Sequence, residues 1–134
     1  MTSYGAAVRM SRIFREKDGR TVMLALDHGM ALGAMRGLER PAEMLASLGG
    51  EVDAIMLNKG ILVRCAAPSL GAGIVLRVSG GATIAGPDIT AERATTTVEE
   101  AIRLSADAVA TAIYVGTANE VPSIESLALL ADEC

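Results

Sequence analysis

Asp27 and His28 follow an unbroken apolar segment, Val22 to Leu26, and Gly29 comes directly after them. A carboxylate placed where a hydrophobic strand ends can move protons or bind a substrate hydroxyl. It can also merely cap the following turn. His28 is the sole histidine, so it lacks partners at metal-ligand spacing; its readings are substrate orientation beside Asp27 or a backbone hydrogen bond. The chain has two lysines, Lys17 in a polar turn and Lys59 just after a second apolar segment. Lys59 is therefore the one internal candidate for a Schiff-base nucleophile, with a site-lining, phosphate-pairing cation or a solvated ammonium as the alternatives. Arg77 interrupts a third apolar run, Ile74 to Val78, where an unpaired cation is costly. It must point into a polar interior or pair with a carboxylate such as Asp27 or Asp53. Ser79 and Gly80, with Gly81, form a turn whose amides can meet an anion, although Ser-Gly-Gly is also an ordinary loop. Tyr114 is one of three aromatic residues, with Tyr4 and Phe14, and a buried phenol needs a polar partner.

Composition narrows the rest. The 134 residues allow one domain with a sizeable core, built from aliphatic side chains and methionine because aromatics are so scarce. A net charge of −4 leaves no basic footprint for nucleic acid. No signal-peptide pattern and no long apolar span is present, so a cytoplasmic protein without a membrane partner is expected. Cys65 and Cys134 do not form a disulfide framework, and the single histidine makes a structural zinc site improbable. Glycine-rich nucleotide fingerprints are absent as well.

The elements that must position these residues alternate. A helix is expected over 7–15, then strands at 22–26, 54–57, 74–78 and 108–115. Helices are expected from Pro41 to Gly49, from Ile61 to about Ala66, from the Thr97–Glu100 capping box onward, and from about Ser123. In the last of these Ile124, Leu127, Ala128 and Ala131 are expected to face inward. Four βα units without a hairpin signal imply parallel strands joined by right-handed crossovers, and their polar strand ends then gather on one face. A closed (β/α)8 barrel needs roughly 250 residues. The expected architecture is thus α/β: parallel βα repeats forming four units of a TIM barrel, a half barrel, preceded by a short helix that plugs its amino-terminal face. Residues 1–134 are read as one incomplete domain, the first half, whose unpaired edge strands call for a homo-oligomer or a second half-barrel.

Six segments carry a family resemblance. Ser11-Arg12-Ile13-Phe14, Gly19-Arg20-Thr21-Val22, Leu26-Asp27-His28-Gly29, Gly37-Leu38-Glu39-Arg40, Val75-Leu76-Arg77-Val78-Ser79-Gly80 and Tyr114-Val115-Gly116-Thr117 occur in this order. In order and spacing they resemble the archaeal-type class I fructose-bisphosphate aldolases, and most of all the branch that acts as a thiolase on 3-hydroxy-2,4-pentanedione 5-phosphate. The resemblance covers nearly all of this chain but about the first half of that family's domain. It implies a (β/α)8 barrel and Schiff-base catalysis without metal or organic cofactor. A lysine amine condenses with a ketone, and the iminium serves as electron sink for carbon–carbon cleavage. It further implies proton-transfer roles for Asp27 and Tyr114, with the lysine expected beyond residue 134. A phosphorylated sugar or ketone, such as fructose 1,6-bisphosphate, is the implied substrate, with thiolytic transfer to coenzyme A as the alternative. A non-catalytic chain that only associates with another half is the remaining alternative.

Overall fold

The computed structural model describes residues 3–134. Its centre is a sheet of four parallel strands in the order β1 (Met23–Ala25), β2 (Ala54–Asn58), β3 (Gly73–Arg77) and β6 (Ala108–Ala110). Ala25 pairs with Met56, Asn58 with Arg77, and Arg77 with Ala110, so the strand ends are in step. Helices α3 (Pro41–Leu48), α4 (Lys59–Cys65) and α5 (Val98–Arg103) follow successive strands, and α6 (Glu120–Glu133) follows the last. This is the expected half barrel, four βα units in chain order.

Strand alternation sends side chains to two different layers. Leu26, Ile55, Leu57, Leu76 and Val78 face the helices and form the main core with Leu45 of α3 and Ala101 of α5. Ala54 and Val75 face the other side, where Met56, Ala108 and Ala110 join them. That second face is the inner wall of the half barrel, and its small side chains suit the curvature. Its amino-terminal end is plugged by α1 (Tyr4–Ile13), whose Ile13 is buried against it. The plug begins earlier than the apolar periodicity indicates, because Ser3 caps it by accepting the Ala6 amide. Two acids fasten the same end: Asp53 accepts the Val22 amide and Asp107 accepts the Ile74 amide, while Arg12 pairs with Asp107 at 3.0 Å. Gly73 is required there, since a Cβ would stand 2.5 Å from the Arg12 carbonyl oxygen.

Three expectations need correction. The loop after β3 contains a short antiparallel pair, β4 (Ser79–Gly80) with β5 (Arg93–Ala94), where no hairpin was expected. Two-residue strands at the ends of a long loop leave no alternation to read. The fourth parallel strand stops at Ala110 rather than continuing to Val115. Past that point the Ala112 amide donates to the Ser79 hydroxyl, so a side chain takes over from the backbone ladder. Finally, α6 starts at Glu120, and Ile124, Leu127, Ala128 and Ala131 are exposed; Leu130 is the α6 residue that packs on the core. Helical spacing identified a face but not which neighbour was available to cover it.

Candidate functional site

The carboxyl ends of β1 and β3 bring together groups from four chain segments. Odd-numbered residues of both strands line the inner wall, and continuing that parity places Asp27, Arg77 and Ser79 on it. Arg77 lies at the centre. Its Nη1 donates to Asp27 Oδ2 at 2.8 Å, its Nη2 to Glu92 Oε2 at 2.8 Å, and its Nε to the Ser79 hydroxyl at 2.9 Å. Ser79 Oγ in turn donates to Glu92 Oε2 at 2.7 Å and accepts from the Ala112 amide at 3.1 Å. The three charged side chains are nearly closed to solvent, at 16% exposure for Arg77, 9% for Asp27 and 4% for Glu92. Tyr114 is half-buried beyond the end of β6, near enough to Glu92 and Arg77 for both to act on its phenol electrostatically.

Glu92 is the member that sequence reasoning missed. It stands just before β5 and reaches the rim because Ser79–Ala94 and Gly80–Arg93 are paired. The loop leading to it is held by Asn119, whose side-chain amide donates to Asp88 and to Thr90 at 2.8 and 2.9 Å. Sequence could have signalled a second acid through the donor count of Arg77, since one carboxylate does not satisfy a buried guanidinium. It could not have said which acid. Of the two carboxylates proposed for Arg77, Asp27 is the partner, and Asp53 lies at the opposite end of the sheet.

Burial and pairing compete in this cluster. Desolvation would push the Glu92 carboxyl up, yet the hydrogen bonds from Arg77 and Ser79, the nearby Tyr114 phenol and the Arg77 charge hold it below its ordinary value. Burial would lower Arg77, but the Glu92 hydrogen bond and the charges of Glu92 and Asp27 keep it above normal. Tyr114 is raised, first by desolvation and then by the adjacent Glu92 carboxylate, with Arg77 opposing. At neutral pH the rim therefore holds an ionised Glu92, the Arg77 guanidinium and a neutral phenol, with Asp27 on the other arm of the guanidinium. Such a set can bind hydroxyl or carbonyl groups and relay protons.

The other expected site residues lie around this cluster. The exposed His28 imidazole is 3.8 Å from Asp27 Oδ1, at the start of the short helix α2 (Gly29–Leu32). Lys59 opens α4, and its Nζ pairs with Glu100 of α5 at 3.0 Å, beside the helical layer. Lys59 and Arg77 do border one cleft of about 450 Å³, with Asn58 between them and Thr95 and Thr96 opposite. Asn58 itself is engaged in capping α4 through the Ile61 amide. Gly80 is buried in the β4–β5 ladder beneath Met30, where a Cβ would meet the thioether at 2.7 Å, so its backbone does not form an open anion cradle. A cleft of about 920 Å³ lies at the plugged end between α1 and α4. Its acids, Asp53 and Asp107, are spent on backbone amides, which identifies that end as structural. No cluster of three or more metal-ligating side chains occurs among the described residues. No helix among them is long and apolar enough to cross a membrane.

A parallel βα half barrel whose charged side chains gather at the carboxyl ends of its strands has the architecture of the TIM-barrel enzymes. Residues 21–134 match the model of the DeoC/LacD family aldolases, and the chain belongs to that family. Among curated relatives it is 40% identical over 129 residues to the 3-hydroxy-5-phosphonooxypentane-2,4-dione thiolase of Enterobacter sp. (strain 638), covering 96% of this chain and 43% of the relative. The thiolase of the same name from Yersinia pseudotuberculosis serotype O:3 (strain YPIII) is 39% identical, with 97% and 44% covered. The chain thus spans less than half the length of these relatives. Among solved structures, a Schiff base-forming fructose-1,6-bisphosphate aldolase superposes with a TM-score of 0.77 at 26% identity, covering 95% of this chain and 52% of that one. An archaeal fructose 1,6-bisphosphate aldolase gives 0.76, again at 26% identity. The names of these proteins carry phosphorylated compounds in both cases.

Proposed function

We propose that this chain, residues 1–134, is the first half of a single Schiff-base aldolase domain acting in the cytoplasm on a phosphorylated sugar or ketone. Asp27 and Tyr114 are its proton-handling residues, and Arg77 and Ser79 fix them. The observation that carries this reading is the Asp27–Arg77–Glu92–Tyr114 group at the reacting end of the barrel wall. A lysine amine adds to the substrate ketone, water leaves, and the iminium accepts the electron pair released when the adjacent carbon–carbon bond breaks. Proton transfers to and from the leaving oxygen and the carbinolamine fall to the rim acids. The nucleophilic lysine lies outside these residues: Lys17 is in the turn before β1 and Lys59 is engaged with Glu100. His28 and Lys59 remain peripheral substrate contacts, and the open edges of β1 and β6 are to be covered by a second half-barrel or a second copy.

Fructose 1,6-bisphosphate is one substrate compatible with this chemistry. A second reading, thiolytic transfer of an acetyl group from 3-hydroxy-5-phosphonooxypentane-2,4-dione to coenzyme A, is favoured by the 38–40% identity to thiolases, against 26–28% to the fructose-bisphosphate aldolases. Both begin with the same iminium, so one experiment tests their common part. This chain is treated with dihydroxyacetone phosphate and borohydride, alone and with the carboxyl-terminal half of the Enterobacter thiolase. The reduced adduct is expected only in the mixture, on the added half, and to weaken when Asp27→Asn is used. A stable mass adduct on Lys59 of this chain alone overturns the placement of the nucleophile. No adduct in a mixture whose halves bind each other overturns the Schiff-base reading.

A further inference from the structure

Beside the Arg77 cluster, the same rim carries the cleft of about 450 Å³ whose lining holds two cations, Lys59 and Arg77, and no carboxylate. Arg77 spends its donors on Asp27, Glu92 and Ser79, so Lys59 supplies the cleft's charge. Two further donors stand in the same lining. Asn58 Oδ1 accepts the Ile61 amide, which fixes the side chain and leaves its Nδ2 without a partner among the described residues. Thr96 is only 7% exposed, and its hydroxyl makes no hydrogen bond among those residues either. Its neighbour Thr95 is spent on the Val78 carbonyl. Thr21 Oγ1 is the one sealed-off orphan among the described residues, so the Asn58 and Thr96 donors are reached by solvent.

We propose that this cleft is a phosphate-monoester subsite, in which Lys59, Asn58 Nδ2 and the Thr96 hydroxyl hold the anion and Glu100 competes with it for Lys59. The proposal rests on the reading of the rim as the reacting end of an enzyme for phosphorylated compounds. An ammonium, an amide N–H and a hydroxyl offer separate hydrogen bonds to the oxygens of one tetrahedral anion, and those to a charged acceptor are the strong ones. A neutral ligand gains little from the ammonium. Glu100 is placed to yield. The Lys59 and Glu100 side chains are 43% and 34% exposed, so their 3.0 Å pair is worth little in water. A phosphate dianion brings a second charge and two donors that Glu100 does not use. Glu100 also borders a second cleft of about 380 Å³, shared with Thr95 and Thr96, and has room there when Lys59 turns away.

The test uses the scarcity of lysine. With carbon-13 at lysine Cε the chain gives two resonances, and Lys17, in the turn before β1, is the internal control for Lys59. Inorganic phosphate is titrated at constant ionic strength, then glycerol 3-phosphate, with glycerol as the neutral control. Both phosphates should shift Lys59 saturably and leave Lys17 in place, and glycerol should move neither. Glu100→Gln removes the competitor and should tighten phosphate binding by about two- to five-fold, the worth of a half-exposed ion pair. Thr96→Val should weaken it by about tenfold or more, and Thr96→Ser, which keeps the hydroxyl, should restore it. Lys59→Met should abolish it, read from the nitrogen-15 amide shifts of Gly60 and Thr96; circular dichroism confirms that each variant is folded. Equal movement of the two lysines, a shift that does not saturate, or binding in Glu100→Gln no tighter than in the native chain overturns the proposal. These titrations need neither borohydride nor a second half, so failure of the Schiff-base reading is told apart from failure of this one.

Discussion

Replacing Arg77 by Met keeps most of the aliphatic volume and removes the only cation in the rim cluster. The consequence follows from exposure. Asp27 and Glu92, at 9% and 4%, would be left as two carboxylates facing one another without a counter-charge. Breaking a buried pair by deleting one partner costs about 3–5 kcal/mol, because the remaining charge is stranded. Against a total stability of about 5–15 kcal/mol for a domain, that is a large loss. With a urea slope of about 1–3 kcal/mol/M, the unfolding midpoint of Arg77→Met should fall by at least about 1 M at pH 7. Adding Glu92→Gln should recover part of the loss, since one of the two stranded charges is then gone. The pH dependence supplies the sign. In the native chain the Glu92 carboxyl is depressed, so its contribution is complete above its unfolded value of about 4.5 and disappears as pH falls through the folded value. In Arg77→Met, desolvation acts without the cation, and the carboxyl is raised instead. Lowering the pH from 7 toward 5 should therefore stabilise the variant. A midpoint change worth less than about 1 kcal/mol, the usual worth of an exposed pair, would refute the reasoning by showing that the cluster is solvated.

Two predictions concern the frame that holds the rim. Gly73→Ala places a Cβ 2.5 Å from the Arg12 carbonyl oxygen and 3.1 Å from the Ile13 side chain, so α1 must move off the sheet. A loss of about 1–3 kcal/mol in urea unfolding is expected, with faster amide exchange across α1; unchanged protection there would contradict the plug. Thr97→Ala removes the hydroxyl that accepts the Glu100 amide at the start of α5, and should cost about 1 kcal/mol. Because Glu100 also holds Lys59, the Lys59 ammonium resonance should shift with it, and an unmoved resonance would uncouple the two.

The half-barrel order was legible because each βα unit announces itself locally. Val22–Leu26 and Ile74–Val78 are apolar runs that end in polar residues, Pro41 opens a helix, and Thr97 and Glu100 form a cap signature that the structure uses. The acid box is only half closed, since the Glu100 side chain turns to Lys59 instead of returning to Thr97. Arg77 was legible for an energetic reason: a cation in an apolar strand demands an anion, and Asp27, two strands away across β2, supplies it. Glu92 was not legible because its place depends on a two-residue ladder and on Asn119, both fixed by contacts remote in sequence. The exposed face of α6 fails for the complementary reason. Periodicity reports that a side is apolar, whereas burial depends on what lies against it.

The arrangement also separates two tasks that a phosphorylated substrate imposes. Two of the three guanidinium nitrogens of Arg77 are directed at carboxylates and the third at Ser79, so little of its charge remains for a phosphate. With Asp27 and Glu92 both ionised, the cluster carries an excess of one negative charge and disfavours a dianion at close range. On the proposed reading, this wall of the barrel therefore meets the uncharged, reacting end of the substrate, its carbonyl and hydroxyl groups. The phosphate must be gripped by backbone amides or cations away from Arg77. Lys59 is one such cation at the rim, and reaching a phosphate would require it to leave Glu100. That exchange is feasible because the pair is only half-buried, whereas the Arg77 pairs are closed. Proton handling is thereby built into the rigid, buried part of the site, and substrate capture is left to groups that can still move.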